Sequence, residues 1–168
     1  MAELGPQDRL QPSLLDRLVD DQPQNKTESR DRRVLSIRQL REAVLRDLGS
    51  LLNTENLTAT HDLDDYPLVA DSVLNYGIPV MAGRTLSGAD LKRIEKLIQE
   101  AIVRFEPRIL KATLKVRVNV EKERMSRNAM SFDIEGELWA QPMPLHLMVR
   151  SRLDLETGDV KVSEGGTR

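Results

Sequence analysis

The spacing of apolar residues changes abruptly at Pro107, and no other feature of this chain limits its fold so strongly. Upstream, Leu91, Ile94, Ile98, Ala101, Ile102 and Phe105 recur at steps of three and four, the period of a helix with one buried face. Downstream, Leu110, Ala112, Leu114, Val116, Val118 and Val120 alternate with Lys111, Lys115, Arg117 and Asn119, the period of a half-buried strand. Phe132, Ile134, Gly136, Leu138 and Ala140 repeat the alternation. Leu145, Leu147 and Val149 begin a third strand that runs on to Leu153 and Leu155, and Glu156-Thr157-Gly158-Asp159 reads as a turn into a short final strand with Val160 and Val162. Helical periods first and strand periods after predict an α+β fold, with N-terminal helices packed on one face of a C-terminal antiparallel sheet.

Ser36 and Gln39 form a capping-box pattern, followed by Ile37, Leu40, Val44, Leu48 and Leu51 at helical spacing, so a helix is expected to end near Gly49 to Asn53. A polar loop from Thr54 to Asp65, a short helix over Leu68 to Leu74 and a turn at Asn75-Tyr76-Gly77 come next. Ser87 with Asp90 at the third position opens the next helix, which must stop before Pro107 because proline lacks the N–H and clashes with the preceding turn. At the N-terminus, Ser13 behind Pro12 is placed to cap a short helix with Leu14, Leu15, Leu18 and Val19, which either packs weakly or waits for a partner. Asp20 to Arg33 contains almost nothing that could enter a core. The chain therefore divides into residues 1–33, a short helix and polar linker, and residues 34–168, a single α+β domain. With 168 residues, 39% hydrophobic and 31% charged, one compact core is expected, burying roughly 70% of the chain's surface.

Several classes of function lack the residues they need. The chain has no cysteine, so disulfides and thiolate metal sites are ruled out, and its net charge of −2 is a poor match for phosphate-neutralising nucleic-acid binding. The opening MAELGPQDRLQPSLL is acidic and polar where an export signal needs a basic patch and an apolar run, and no apolar run of about 18 residues could span a bilayer. The two histidines, His61 and His146, accompany no nucleophile motif, and the 27 acidic residues single out no catalytic pair. His146 is expected on the solvent face of its strand. His61-Asp62-Leu63-Asp64-Asp65 has metal-like composition, but Pro67 falls at the sixth place counted from Asp62, where a calcium loop needs glycine, so a solvated acidic loop is expected. Gly83 and Gly88 flank Arg84 to Ser87 without the lysine or order of a phosphate loop. No catalytic residue, metal or cofactor is expected, and the chain reads as a non-enzyme.

Glu106-Pro107-Arg108 stands where the helical period gives way to the strand period. Proline fixes the backbone so that two opposite charges flank a rigid corner. The residues alone leave two readings: Arg108 and Glu106 form charge-assisted bonds with a partner, or they pair locally and brace the corner.

Three strings then carry a resemblance. Leu51-Leu52-Asn53-Thr54, Ser72-Val73-Leu74-Asn75-Tyr76-Gly77-Ile78-Pro79 and Arg104-Phe105-Glu106-Pro107-Arg108-Ile109, in this order, resemble the type VI secretion wedge family TssE, relatives of contractile-phage baseplate wedge proteins once labelled lysozyme-like. The resemblance spans about residues 30–165, with its motifs confined to the three strings. One departure is Glu55, where the family often has arginine, which puts a negative charge in place of a positive one. The resemblance implies a domain similar to the interlocking domain of the contractile sheath, and a structural role in a baseplate docked at the inner membrane from the cytoplasm. Glu106, Pro107 and Arg108 would attach to the bundle of the wedge proteins TssF and TssG within a baseplate that includes TssK, while the sheet would face the sheath subunits. An exposed sheet edge could accept a strand from a sheath subunit and so template sheath assembly. Lys111, Lys115 and Arg117 would either aid that docking or guard the edge against aggregation. Two other readings are a peptidoglycan hydrolase, implied by the family label alone, and an adaptor that binds through the Leu14-Leu15-Leu18-Val19 helix.

Overall fold

The structure, a computed structural model, describes residues 13, 16, 18, 24, 36–80, 88–119, 129–140, 144–154 and 156–165, with residues 88–90 and 129 described in the backbone alone. Helix α1 (Ile37–Leu52) begins with the expected capping box: the Ser36 hydroxyl accepts the Gln39 N–H, and the Gln39 side chain accepts the Ser36 N–H. Leu40, Ala43, Val44, Leu48, Leu51 and Leu52 form its buried face. Ile37 is exposed rather than buried; it is the first helical residue, nearly one turn ahead of Leu40, where burial begins.

The single short helix expected over Leu68 to Leu74 is two pieces. Helix α2 (Pro67–Ala70) is followed by a 3-10 turn, Val73–Asn75. Ser72 separates them, because its hydroxyl accepts the Leu74 N–H and diverts the chain from continued α-helical bonding. Leu68, Val73 and Leu74 consequently stay on the surface. The preceding polar stretch also holds a 3-10 turn, Leu57–Ala59. Helix α3 (Gly88–Phe105) stops at Phe105, two residues ahead of Pro107, and buries Ile94, Ile98, Ala101 and Ile102, with Leu91 and Phe105 partly covered. Ser87 and the Asp90 side chain lie outside the described residues.

Four strands, β1 (Lys115–Asn119), β2 (Ala129–Leu138), β3 (Leu145–Asp154) and β4 (Val160–Glu164), pair antiparallel in the order 1-2-3-4. The fold is α+β, with N-terminal helices and a C-terminal antiparallel sheet. β1 is shorter than the alternation implied, because Leu110 to Thr113 fold into a turn in which the Leu110 carbonyl accepts both the N–H and the hydroxyl of Thr113. Ala112 is exposed as a result. Contact with β2 persists on the near side of this turn, where Ile109 bridges Leu138 and the Leu110 N–H donates to the Glu137 carbonyl. Val120 and Leu155 lie outside the described residues. The Gly158 backbone has a positive φ of 80° in the turn between β3 and β4, which glycine adopts without strain.

One sheet face is apolar. Val116, Met130, Phe132, Ile134, Leu138, Leu147, Val149, Leu153 and Val160 join the buried faces of α1 and α3 in one core. Gly136 sits tightly on this face, where a Cβ would lie 3.1 Å from Ile109 Cγ2 and the isoleucine would have to give way by a few tenths of an ångström. The opposite face is a charged ladder in which Arg150 pairs with Asp133 at 3.1 Å and Asn119 donates to the same carboxylate.

The two edges of the sheet differ. α3 covers β1: the Glu95 carboxylate accepts the Val118 N–H at 2.8 Å, and the Gln99 amide donates to the Leu114 carbonyl at 3.1 Å. On β4, the Val160 N–H and carbonyl point outward and are both taken by the Asn53 side chain. By the same alternation, the main-chain groups of Val162 and Glu164 also point outward, and among the described residues nothing pairs with them.

Candidate partner-docking corner

The end of α3 places Glu106, Pro107 and Arg108 on three different levels. Glu106 is only 3% exposed, Pro107 is on the surface, and Arg108 lies between them. Arg108 Nε donates to Glu106 Oε1 at 2.7 Å and Nη2 donates to Glu106 Oε2, a fork-to-carboxylate pairing that the fixed corner aligns. The Arg108 N–H donates to the same carboxylate, and Nη2 reaches Asp47 Oδ2 on α1 at 2.6 Å. Burial favours the neutral guanidinium, but the bonds and charges of Glu106 and Asp47 outweigh it, and the Arg108 pKa rises. The pair is thus made within the domain, as the bracing reading anticipated, and the Glu106 carboxylate faces inward.

Charge continues along α1. Arg46 Nε and Nη2 bond Asp47 Oδ1, and Arg46 Nη1 pairs with Asp16 at 2.7 Å. Ser13 accepts the Asp16 N–H, as a helix cap does, and Arg46 is the first cause of a lowered Asp16 pKa. Leu18 is exposed, whereas Leu14, Leu15 and Val19 lie outside the described residues, as does the Asp20 to Arg33 linker apart from Gln24.

The three sequence strings converge here. The Ile78 N–H donates to the Thr54 carbonyl at 2.8 Å and the Asn56 N–H to the Ile78 carbonyl at 3.1 Å, locking the second string to the first. Gly77, between them, has a φ of 119°. The Tyr76 ring meets the Phe105 ring edge-on at 5.2 Å, tying the second string to the third. Arg104 lies over that same Phe105 ring, donates to the Ala70 carbonyl at 2.8 Å and pairs with Asp71. Buried Asn75 accepts the Thr58 N–H and donates to the Ala70 carbonyl, fixing the loop from inside. Glu55 is exposed and bridges Ile78 through its backbone. Nothing in the sequence marked Asp47 beyond its place on an amphipathic helix, whereas Asn53, Tyr76 and Arg104 stand within the three strings, which gave no sign of the contacts they make.

Other groups stand apart from this corner. His146 is exposed, with Nε2 3.5 Å from a Glu135 oxygen, and Lys111, Lys115 and Arg117 are exposed. His61, Asp62 and Asp64 line an open cavity of about 490 Å³ with Thr58, Thr60, Leu63 and Ala70. Among the described residues no three His, Cys, Asp or Glu side chains are grouped to hold a metal ion, and no helix is long and apolar enough to cross a membrane.

Compared with known proteins, residues 38–143, more than half of the chain, match the family described as baseplate wedge protein gp25. Among solved structures, a Geobacter sulfurreducens protein described as a candidate tail lysozyme is similar at 20% identity and a TM-score of 0.44, covering 68% of this chain and 90% of its own. No curated protein matches. The extent of the family match, over the helices, the corner and the first two strands, shows that the chain belongs to the baseplate wedge protein gp25 family.

Proposed function

We propose that this chain is a non-enzymatic wedge subunit of a contractile type VI secretion baseplate, a TssE-type protein that joins the wedge to the sheath from the cytoplasmic side. Its wedge partners are TssF and TssG, in a baseplate that also holds TssK. Family membership supports the baseplate role, and the three motif strings support the type VI assignment. The observation that carries the sheath-facing half is the outward-pointing main chain at Val162 and Glu164. Main-chain groups in that arrangement accept an added strand, while on the other edge the Glu95 and Gln99 side chains already take the Val118 N–H and the Leu114 carbonyl. β4 is therefore the edge on which the first sheath strand adds through main-chain hydrogen bonds, with no covalent bond made or broken.

Co-expression of the chain with TssF and TssG tests the wedge half: a complex that survives purification is expected, and failure of the folded wild-type chain to co-purify overturns it. Glu164→Pro tests the sheath half. It deletes one outward N–H on an edge strand, where proline is tolerated, and leaves the β3–β4 ladder in place. Sheath subunits should then fail to assemble on an otherwise intact wedge; normal sheath assembly overturns the choice of β4.

A further inference from the structure

The corner offers a partner little charge, because Glu106 is buried, Arg108 Nε and Nη2 are taken by Glu106 and Asp47, and the remaining Nη1, though without a partner, is itself buried. An apolar surface stands beside it. Leu68 is 87% exposed and Val73 77%, and Leu74 and Tyr66 are also exposed, within one stretch of nine residues. Large apolar side chains gathered on a surface mark a place that another molecule covers.

This stretch is held firmly. Arg104 fastens Ala70 and Asp71 to the last turn of α3, Tyr76 packs on Phe105, and the Asn75 amide ties Ala70 to Thr58. The exposed side chains therefore project from a fixed knuckle immediately beside Glu106-Pro107-Arg108. The stretch itself carries charge of one sign: residues 55–75 contain Glu55, Asp62, Asp64, Asp65 and Asp71 and neither lysine nor arginine, and the cation packed against it, Arg104, is paired with Asp71.

We infer that the knuckle of Tyr66, Leu68, Val73 and Leu74 is the apolar anchor of the wedge contact, seated in an apolar groove of the partner whose rim carries lysine or arginine. This rests on the wedge reading above and assigns the parts: the knuckle binds, and the Glu106-Arg108-Asp47 network holds it in position. Side chains this exposed stand out from the surface and are complemented by a groove, and the acidic residues of the stretch select a basic rim.

The test uses the full chain and the TssF–TssG complex as probe, with affinity measured at two salt concentrations and a thermal melt of every variant. Leu68→Ser and Leu74→Ser alter exposed positions, so their melts should match the wild type while affinity falls on the order of tenfold or more, as for an anchor residue. Asp64→Lys with Asp65→Lys should weaken binding too, and the wild-type complex should weaken as salt rises. Wild-type affinity in both serine variants overturns the knuckle and leaves the wedge reading standing. Loss in the serine variants with no effect of salt or charge reversal overturns the basic rim. Absence of any wild-type complex overturns the wedge reading and this inference with it.

Discussion

The Asn53 carboxamide bonds Val160 on both of its main-chain groups, donating to the carbonyl and accepting the N–H, each at 2.8 Å. One side chain at the end of α1 thus imitates a neighbouring strand for the first residue of β4, 107 positions away. Asn53→Ala leaves both groups to water and should cost about 1–2 kcal/mol. Denaturant unfolding with an unchanged m-value checks it, and a shift below a few tenths would show that the bond pair does not hold β4.

Arg108→Ala strands the Glu106 carboxylate in a buried site without its cation, an arrangement expected to cost about 3 kcal/mol. Arg108→Lys keeps the charge but cannot reproduce the fork, so an intermediate loss is expected. An Asp47→Asn and Arg108→Lys double-mutant cycle should show a coupling of about 1 kcal/mol. Additive effects would mean that the 2.6 Å contact contributes nothing of its own.

Gly77 meets two constraints together. At φ 119° any side chain is strained, and a Cβ would sit 2.3 Å from the Thr54 carbonyl oxygen, against backbone that cannot move aside. Gly77→Ala should lose at least about 2 kcal/mol and detach the 75–79 segment from Thr54. Hydrogen exchange at the Ile78 amide reads this directly, with faster exchange expected.

Burial, with the negative charges of Asp47 and Glu106, raises the Tyr76 pKa above the ordinary tyrosine value of about 10. A raised folded pKa means the contribution is whole below the unfolded pKa and is lost as pH climbs through the folded one. Stability should therefore decline above pH 10, and Tyr76→Phe should flatten that decline. An identical alkaline profile in the variant would assign the decline to other groups.

The sequence showed what depends on neighbours along the chain. The Ser36–Gln39 cap, the apolar faces of α1 and α3 and the alternation of β2 and β3 follow from local chemistry, and the structure has them all. Two local competitions went unseen: the Ser72 hydroxyl splitting the short helix, and the Thr113 hydroxyl folding 110–113 into a turn ahead of β1. Glu106 and Arg108 were visible as a corner, with local pairing as one of two readings. Asp47 was not, because an ion pair across 61 residues leaves no mark in spacing. The exposed knuckle was hidden for the opposite reason: Leu68, Val73 and Leu74 look like core residues until the fold shows them exposed.

A sheet open on both sides is bivalent, and copies of it can join into a fibre without limit. Here α3 side chains take the Leu114 carbonyl and the Val118 N–H on the β1 side, whereas among the described residues nothing takes the outward main-chain groups of Val162 and Glu164 on β4. Two such domains meeting β4 to β4 would present only their partly occupied β1 sides to a third, which disfavours extension beyond two. Such an asymmetry suits a domain that begins or ends a run of strands better than one that serves as a link within it.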